Sequence, residues 1–181
     1  MSDACRAVAG PRGPSPAVTV HDRDDLPRFT GAVRAAFGDR AAAAARSHLT
    51  ADRRLDPARV ALFYRDWTEH VLDGSWGDRL AVAWDGGRPI GFFSWVFDHD
   101  APVDGGLLHR SWALVTDPGR GALAAMTRAI VGGAAGARWT ECETRTANQA
   151  MNRALLGTGA SPTVRATLVL HGWIAGVESA R

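Results

Sequence analysis

The sequence predicts an α/β domain of the α+β kind: a mixed sheet of six to seven strands flanked by helices. Three observations carry this expectation. Apolar residues recur every three or four positions in several blocks, as on a buried helix face. Between these blocks lie short runs rich in Val, Trp, Phe and Ile that alternate or are apolar throughout, as in strands. The middle of the chain reads as hairpins, and a strand–helix–strand crossover follows, so antiparallel and parallel pairing share one sheet.

Residues 1–16 are small, rich in Gly and Pro, and lack aromatics, which reads as a disordered leader before a single domain at 17–181. Ala17–His21 is a short strand. Asp24 and Asp25 cap a helix whose inner face is Leu26, Phe29, Val33 and Phe37, with Gly38 ending it. The run Ala41–Ala45 favours helix, but Thr50–Arg54 breaks the pattern. Asp56-Pro57 starts the next helix, since an acid at the cap and proline in the first turn both suit a helix beginning. Its stripe is Val60, Phe63, Trp67 and Val71. Leu80, Val82 and Trp84 alternate with alanines as a strand, Asp85-Gly86 turns it, and Pro89–Phe97 returns, apolar on both faces and therefore central. Leu107–Val115 is a fourth strand. Leu123, Met126 and Ile130 mark a helix that Gly132-Gly133 stops. Arg138–Thr144 is a fifth strand. Thr146 caps a helix with Ala147, Met151, Ala154 and Leu155 inward, Gly157 ends it, and Ala166–Trp173 is the last strand.

Composition narrows the function classes. The chain has 181 residues, 46% of them hydrophobic and 22% charged, the mixture of an ordinary globular domain with a real core. No apolar run reaches the ~18 residues of a membrane span, and no basic start leads into an apolar block, so neither a membrane nor a secretory route is expected. All 21 basic residues are Arg, scattered and offset by 19 acids for a net charge of +2, which argues against nucleic acid as a partner. Two cysteines far apart in sequence, Cys5 and Cys142, fit a reducing cytoplasm better than a disulfide.

One turn carries chemistry. Val115-Thr116-Asp117-Pro118-Gly119-Arg120-Gly121-Ala122 joins an apolar strand to a small-residue helix. Such a turn bares several backbone N–H groups beside the positive end of the helix dipole, which is a seat for phosphate. Gly119 and Gly121 allow positive φ and close approach, and the guanidinium of Arg120 adds a cation.

The element order and these residues resemble the GNAT acyltransferase superfamily over roughly residues 17–174. The matching stretches are Asp85-Gly86-Gly87-Arg88-Pro89-Ile90-Gly91-Phe92, then Leu114-Val115-Thr116-Asp117-Pro118 with Arg120-Gly121, then Thr144, Asn148 and Ala150. Among its branches, the bacterial sugar-amine and small-amine N-acetyltransferases are the most similar. The resemblance implies acetyl-CoA as co-substrate, with its diphosphate on the turn and its pantetheine beside the fourth strand. It assigns coenzyme contacts to Leu114, Val115, Gly119, Arg120, Gly121, Ala122 and Asn148, the last of which can equally cap its helix. The chain departs from the pattern in two places. Ala122 or Leu123 stands where the second glycine falls, so a Cβ is expected to crowd the phosphate seat. Leu155 stands where many members carry a tyrosine that protonates the leaving thiolate.

Acetyl transfer then needs a base, an oxyanion donor and a leaving thiolate. A thiol pKa of ~8.5 lets the thiolate depart with little help. A backbone N–H near Leu114 or Val115 is expected to face the oxyanion. For the base, His109 on the fourth strand offers an imidazole, the side-chain type suited to proton transfer near neutral pH, and Glu141 or Glu143, sharing a face of the fifth strand, is the alternative. Asp98 and His99, with Asp100, form a loop cluster suited to an acceptor amine rather than a metal. Tyr64 at a core edge and Trp76 in a loop are the further acceptor contacts. The expected function is acetyl transfer to the amine of a small molecule, an amino sugar or a biosynthetic intermediate, without a metal, in a homodimer or with a partner protein. The competing expectation is a protein of the same shape that has lost acyl transfer and serves as a partner subunit or in other small-molecule chemistry.

Overall fold

A computed structural model describes residues 14–37, 40, 48–98, 100, 106–133, 137–144 and 148–157. The order is β1 (Ala17–Asp22), a 3₁₀ turn (Arg23–Asp25), α1 (Leu26–Phe37), α2 (His48–Ala51), α3 (Pro57–Leu72), β2 (Arg79–Asp85), β3 (Arg88–Asp98), β4 (Leu107–Val115), α4 (Ala122–Gly133), β5 (Trp139–Cys142) and α5 (Gln149–Leu156). The leader to residue 13, the Ala41–Ala45 run, Thr146 and the expected last strand lie outside the described residues.

Among the described residues, five strands form one sheet in the order β1-β2-β3-β4-β5. The first four run antiparallel to their neighbours, and β5 lies parallel to β4. The mixed pairing is therefore as expected from the order of hairpins and crossover. Gly86 and Gly87 make the β2–β3 turn with φ of 56° and 83°, the double left-handed geometry that matches strand twist in a two-residue hairpin.

Two cores sandwich this sheet. Leu80, Val82, Phe92 and Leu114 face α1 and α3, where Val33, Phe37, Tyr64, Val71 and Leu72 are buried. Ala81, Ala83, Phe93, Trp95 and Leu108 face α4 and α5, against Ala122, Met126, Ile130 and Met151. Alternate residues of β2 feed opposite cores, as the two-residue period of a strand dictates.

Two elements correct the sequence reading. The inner face of α3 is turned from the expected stripe: Tyr64 is 2% exposed and Phe63 47% exposed. Both fit a helical period with Val60 and Val71, and stacking decides between them. Tyr64 lies 5.2 Å from Trp112, and Trp67 lies 4.9 Å from Trp112, with all three rings nearly parallel. The helix α5 is capped by Asn148, whose side-chain oxygen accepts from the Met151 amide at 3.2 Å.

The register of β3 against β4 shifts between Phe93 and Trp95, where Ala113 and Arg110 are their partners. This leaves Ser111 and Trp112 opposite Ser94, and the Ser94 hydroxyl accepts from the Trp112 amide at 3.1 Å. An extra residue on one strand of this kind bends the strand and steepens its twist. Just there β5 ceases to accompany β4: the two pair only from Leu107 to Arg110 and from Trp139 to Cys142.

Candidate functional site

The opening along β4 is the feature around which the candidate residues collect. From Ser111 to Val115, no strand among the described residues pairs with β4 on the β5 side. The amides of Trp112 and Thr116 both point toward β3, one to Ser94 Oγ and the other to Ile90 O at 3.0 Å. Strand alternation then aims the Leu114 amide toward β3 as well, and those of Ala113 and Val115 toward the open edge. Of the two amides expected near the oxyanion, Leu114 and Val115, this alternation turns only that of Val115 toward the open edge. The Leu114 side chain is buried in the core.

At one end of this edge lies the glycine turn. Gly119 and Gly121 adopt φ of 92° and 75°, and a Cβ at Gly119 would meet nothing within 4 Å. The Gly121 carbonyl accepts the first bond of α4 from Ala125 at 3.0 Å. The amides of Gly119 and of Gly121 to Ala124 donate to no group among the described residues. They are the uncommitted donors that a helix N-terminus offers an anion. Of the two residues expected to crowd the seat, Ala122 is 2% exposed and belongs to the core with Ala81 and Met126, and Leu123 is partly buried against the same core. The Arg120 guanidinium has another partner than expected: one Nη donates to Asp85 Oδ2 at 2.7 Å. Its neighbour Asp117 is taken by Arg88 at 3.3 Å.

At the other end lies His109. Its Nε2 stands 3.6 Å from Asp98 Oδ2, and its Nδ1 stands 3.8 Å from Glu141 Oε2. Register explains the meeting: β4 sets His109 directly beside Glu141, and Asp98 pairs with Leu107 two residues away. These are ion-pair separations, longer than hydrogen bonds. The imidazole is half-exposed and, being next to the core residue Leu108, faces the α1–α3 side of the sheet. Residues singled out for separate roles thus form one carboxylate–imidazole–carboxylate set. Glu143 is outside it: exposed beyond the end of β5, it is not one of the acids against His109. Cys142 turns to the opposite face, toward the α4 core.

Of the remaining candidates, Tyr64 is walled into the aromatic stack, so it is a core residue and not a surface for an acceptor. Trp76 is 53% exposed in the α3–β2 connection. That connection sits at the His109 end, since Asp78 receives the Phe97 amide at 2.7 Å. Asn148 serves as a cap and is exposed. His99 lies outside the described residues. Among the described residues no three His, Cys, Asp or Glu side chains form a metal-sized group, and no helix is long and apolar enough to cross a membrane. Sequence reasoning passed over Asp85 and Arg88 as site residues. The signal was present: opposite charges flank the Gly-Gly hairpin and again flank the turn at Asp117 and Arg120.

Comparison with solved structures bears on what this architecture is. A ribosomal-protein-alanine N-acetyltransferase from Brucella melitensis biovar Abortus 2308 superposes with a TM-score of 0.53 at 12% identity, covering 86% of this chain and 99% of its own. The aminoglycoside N-acetyltransferase AAC(6')-Iy in complex with CoA gives 0.51 at 17% identity, covering 90% and 99%. An aminoglycoside acetyltransferase from an uncultured soil metagenomic sample, in complex with sisomicin, gives 0.50 at 12% identity, covering 87% and 95%. The chain has the GNAT fold. No protein-family model and no curated protein sequence matches it. In the GNAT fold the glycine turn and the half-open fourth strand are the parts that the sequence resemblance had marked for the coenzyme.

Proposed function

We propose that the protein is an N-acyltransferase that moves an acetyl group from acetyl-CoA to the amine of a small molecule. One observation carries the reading: amides at Gly119 and Gly121–Ala124 that donate to no group among the described residues stand at the N-terminus of α4, at the head of a strand edge where no described strand pairs with Ala113 and Val115. A diphosphate suits the first group, and a peptide-like pantetheine suits the second, as an added strand does at a sheet edge. The solved neighbour bound to CoA supports the same choice of donor.

The arrangement divides the labour along β4. Gly119, Gly121 and Ala122 give backbone amides to the diphosphate, and Val115 gives one to the arm. At about 3.3 Å per residue, the five positions from Leu114 to His109 span on the order of 16 Å, so the reacting carbon lies near the fork and not beside the turn. There His109 takes the proton from the attacking amine, directly or through a water, with Asp98 and Glu141 stabilising the imidazolium. The new C–N bond forms as the C–S bond breaks, and the thiolate departs without an acid from the protein. Leu155, partly buried against the α4 core, stands where a tyrosine would have supplied one. The acceptor is an amine of the size of an amino sugar or a biosynthetic intermediate, reaching His109 from the α1–α3 side, with Trp76 and Asp98 at that end of the sheet.

The test is direct. Acetyl-CoA at millimolar concentration raises the melting temperature, as any ligand that binds only the folded state does. Arg120→Glu abolishes the rise and leaves the fold intact, since it sets a second carboxylate against Asp85 at the rim of the seat. No rise in the wild-type chain overturns the proposal. The second reading, a partner subunit without transfer, draws on the absent tyrosine, and turnover of acetyl-CoA by the isolated chain removes it.

A further inference from the structure

The amides of the glycine turn present a puzzle of fixation. A segment with two left-handed glycines has much conformational freedom to lose, and donors left for a ligand cannot themselves hold the segment in place. The turn enters through Thr116, whose amide and hydroxyl both donate to Ile90 O. It leaves through Gly121, which opens α4. Between these two points the described residues give it two polar attachments to the rest of the protein, and both are ion pairs to one hairpin: Arg88 to Asp117 at 3.3 Å and Asp85 to Arg120 at 2.7 Å. The hairpin is stiff where it grips. Asp85 and Arg88 are register partners and flank a two-residue turn closed by Gly86 and Gly87. The signs cross over, acid and base on the hairpin meeting base and acid on the turn, so the two grips hold the turn in one position along the hairpin.

We propose that Asp85 and Arg88 are positioning residues for the coenzyme: through Arg120 and Asp117 they hold the amide cradle in its binding shape before the diphosphate arrives. The inference rests on the reading of that turn as the coenzyme seat. Arg120 acts as a strut and not as the cation on the phosphates, and the seat's affinity comes from pre-shaped amides. A brace and a simple charge effect differ in sign at Asp85. Removing an acid from the rim of an anion site strengthens binding if charge alone matters. Removing one end of a strut weakens it.

The experiment is calorimetric binding of CoA to the full-length wild-type chain and to Asp85→Asn, Asp85→Glu and Arg88→Gln, with melting temperatures taken in parallel. Asp85→Asn weakens CoA about fivefold, the size of a partly exposed pair. Its melting temperature without ligand stays at the wild-type value, and Asp85→Glu recovers most of the affinity. Arg88→Gln weakens CoA about twofold, because its pair is longer and more exposed. Since Arg88 is at the surface, it also serves should Asp85→Asn fold poorly. Unchanged or tighter CoA binding in Asp85→Asn, or in Arg88→Gln if that is the variant that folds, overturns the brace and leaves the transferase reading standing. Wild-type protein that binds no CoA overturns both.

Discussion

The two ends of β4 are built on different principles. At the turn, the candidate ligand groups are main-chain amides, and the side chains around them serve to hold or to fill: Ala122 packs inward, and Arg120 and Asp117 grip the hairpin. At the fork, the candidate groups are side chains from three strands, brought together by register alone. A main-chain site is insensitive to most substitutions and vulnerable to those that change backbone geometry. A side-chain site has the opposite weakness. The contrast teaches that local sequence builds the candidate site at one end of β4, and tertiary pairing builds the one at the other.

Substitutions break this comparison in a set order. His109→Ala has the largest expected effect: kcat falls by about 100- to 10,000-fold, the worth of one acid–base group, while the affinity for CoA measured by calorimetry is unchanged. A loss of CoA affinity in that variant would merge the two ends. Gly119→Val comes next. Its Cβ has room, but φ of 92° does not suit a β-branched residue, and a strain of about 1–2 kcal/mol weakens CoA by about 5- to 30-fold with kcat at saturation preserved. Glu141→Gln and Asp98→Asn follow, each lowering kcat several-fold in steady-state assays, since each leaves the imidazole one carboxylate. Equal losses in kcat for Glu143→Gln would show that proximity to His109 does not matter.

The smallest effect concerns stability and pH. Asp73, at the C-terminus of α3, receives the Ser75 amide at 2.8 Å and its hydroxyl at 2.6 Å. Burial alone would raise its pKa, but the bonds from Ser75, with His70 and Arg34 nearby, bring it below the ordinary value of 3.8. A carboxylate depressed in the folded state adds stability above its ordinary pKa and loses it as pH falls through the lower, folded value. Melting temperatures between about pH 5 and 2.5 therefore drop more gently in Asp73→Asn than in wild type. Hydrogen exchange in the same range shows the α3–β2 connection, at the fork end, loosening before the glycine turn.

The same contrast explains what could be read from the chain. The turn was legible because its determinants are neighbours in sequence: two glycines, a proline and the start of a helix. The hairpin Asp85–Arg88 and the central position of β3 were legible for the same reason. His109, Asp98 and Glu141 were each visible as chemically apt residues, but their meeting depends on which residue of β4 lies beside which of β5, and no local pattern records that. The face of α3 was misjudged because Phe63 and Tyr64 are adjacent aromatics, either of which completes a helical stripe. The partner that decides, Trp112, comes from a distant strand. The choice between the Leu114 and Val115 amides stayed open because sequence does not say which alternate amides a strand turns toward its neighbour.

The register shift at Ser94 has a consequence for the parity of β4. His109 and Trp112 are an odd number of positions apart, yet both look toward α1 and α3. In an unbroken strand they would look opposite ways. One surplus residue therefore keeps the imidazole on the same face of the sheet as the aromatic stack and within reach of the Asp98 carboxylate. A chain shortened by that single residue, with its turn and core intact, would send either the imidazole into the apolar layer beneath α4 or the indole out of the layer beneath α3.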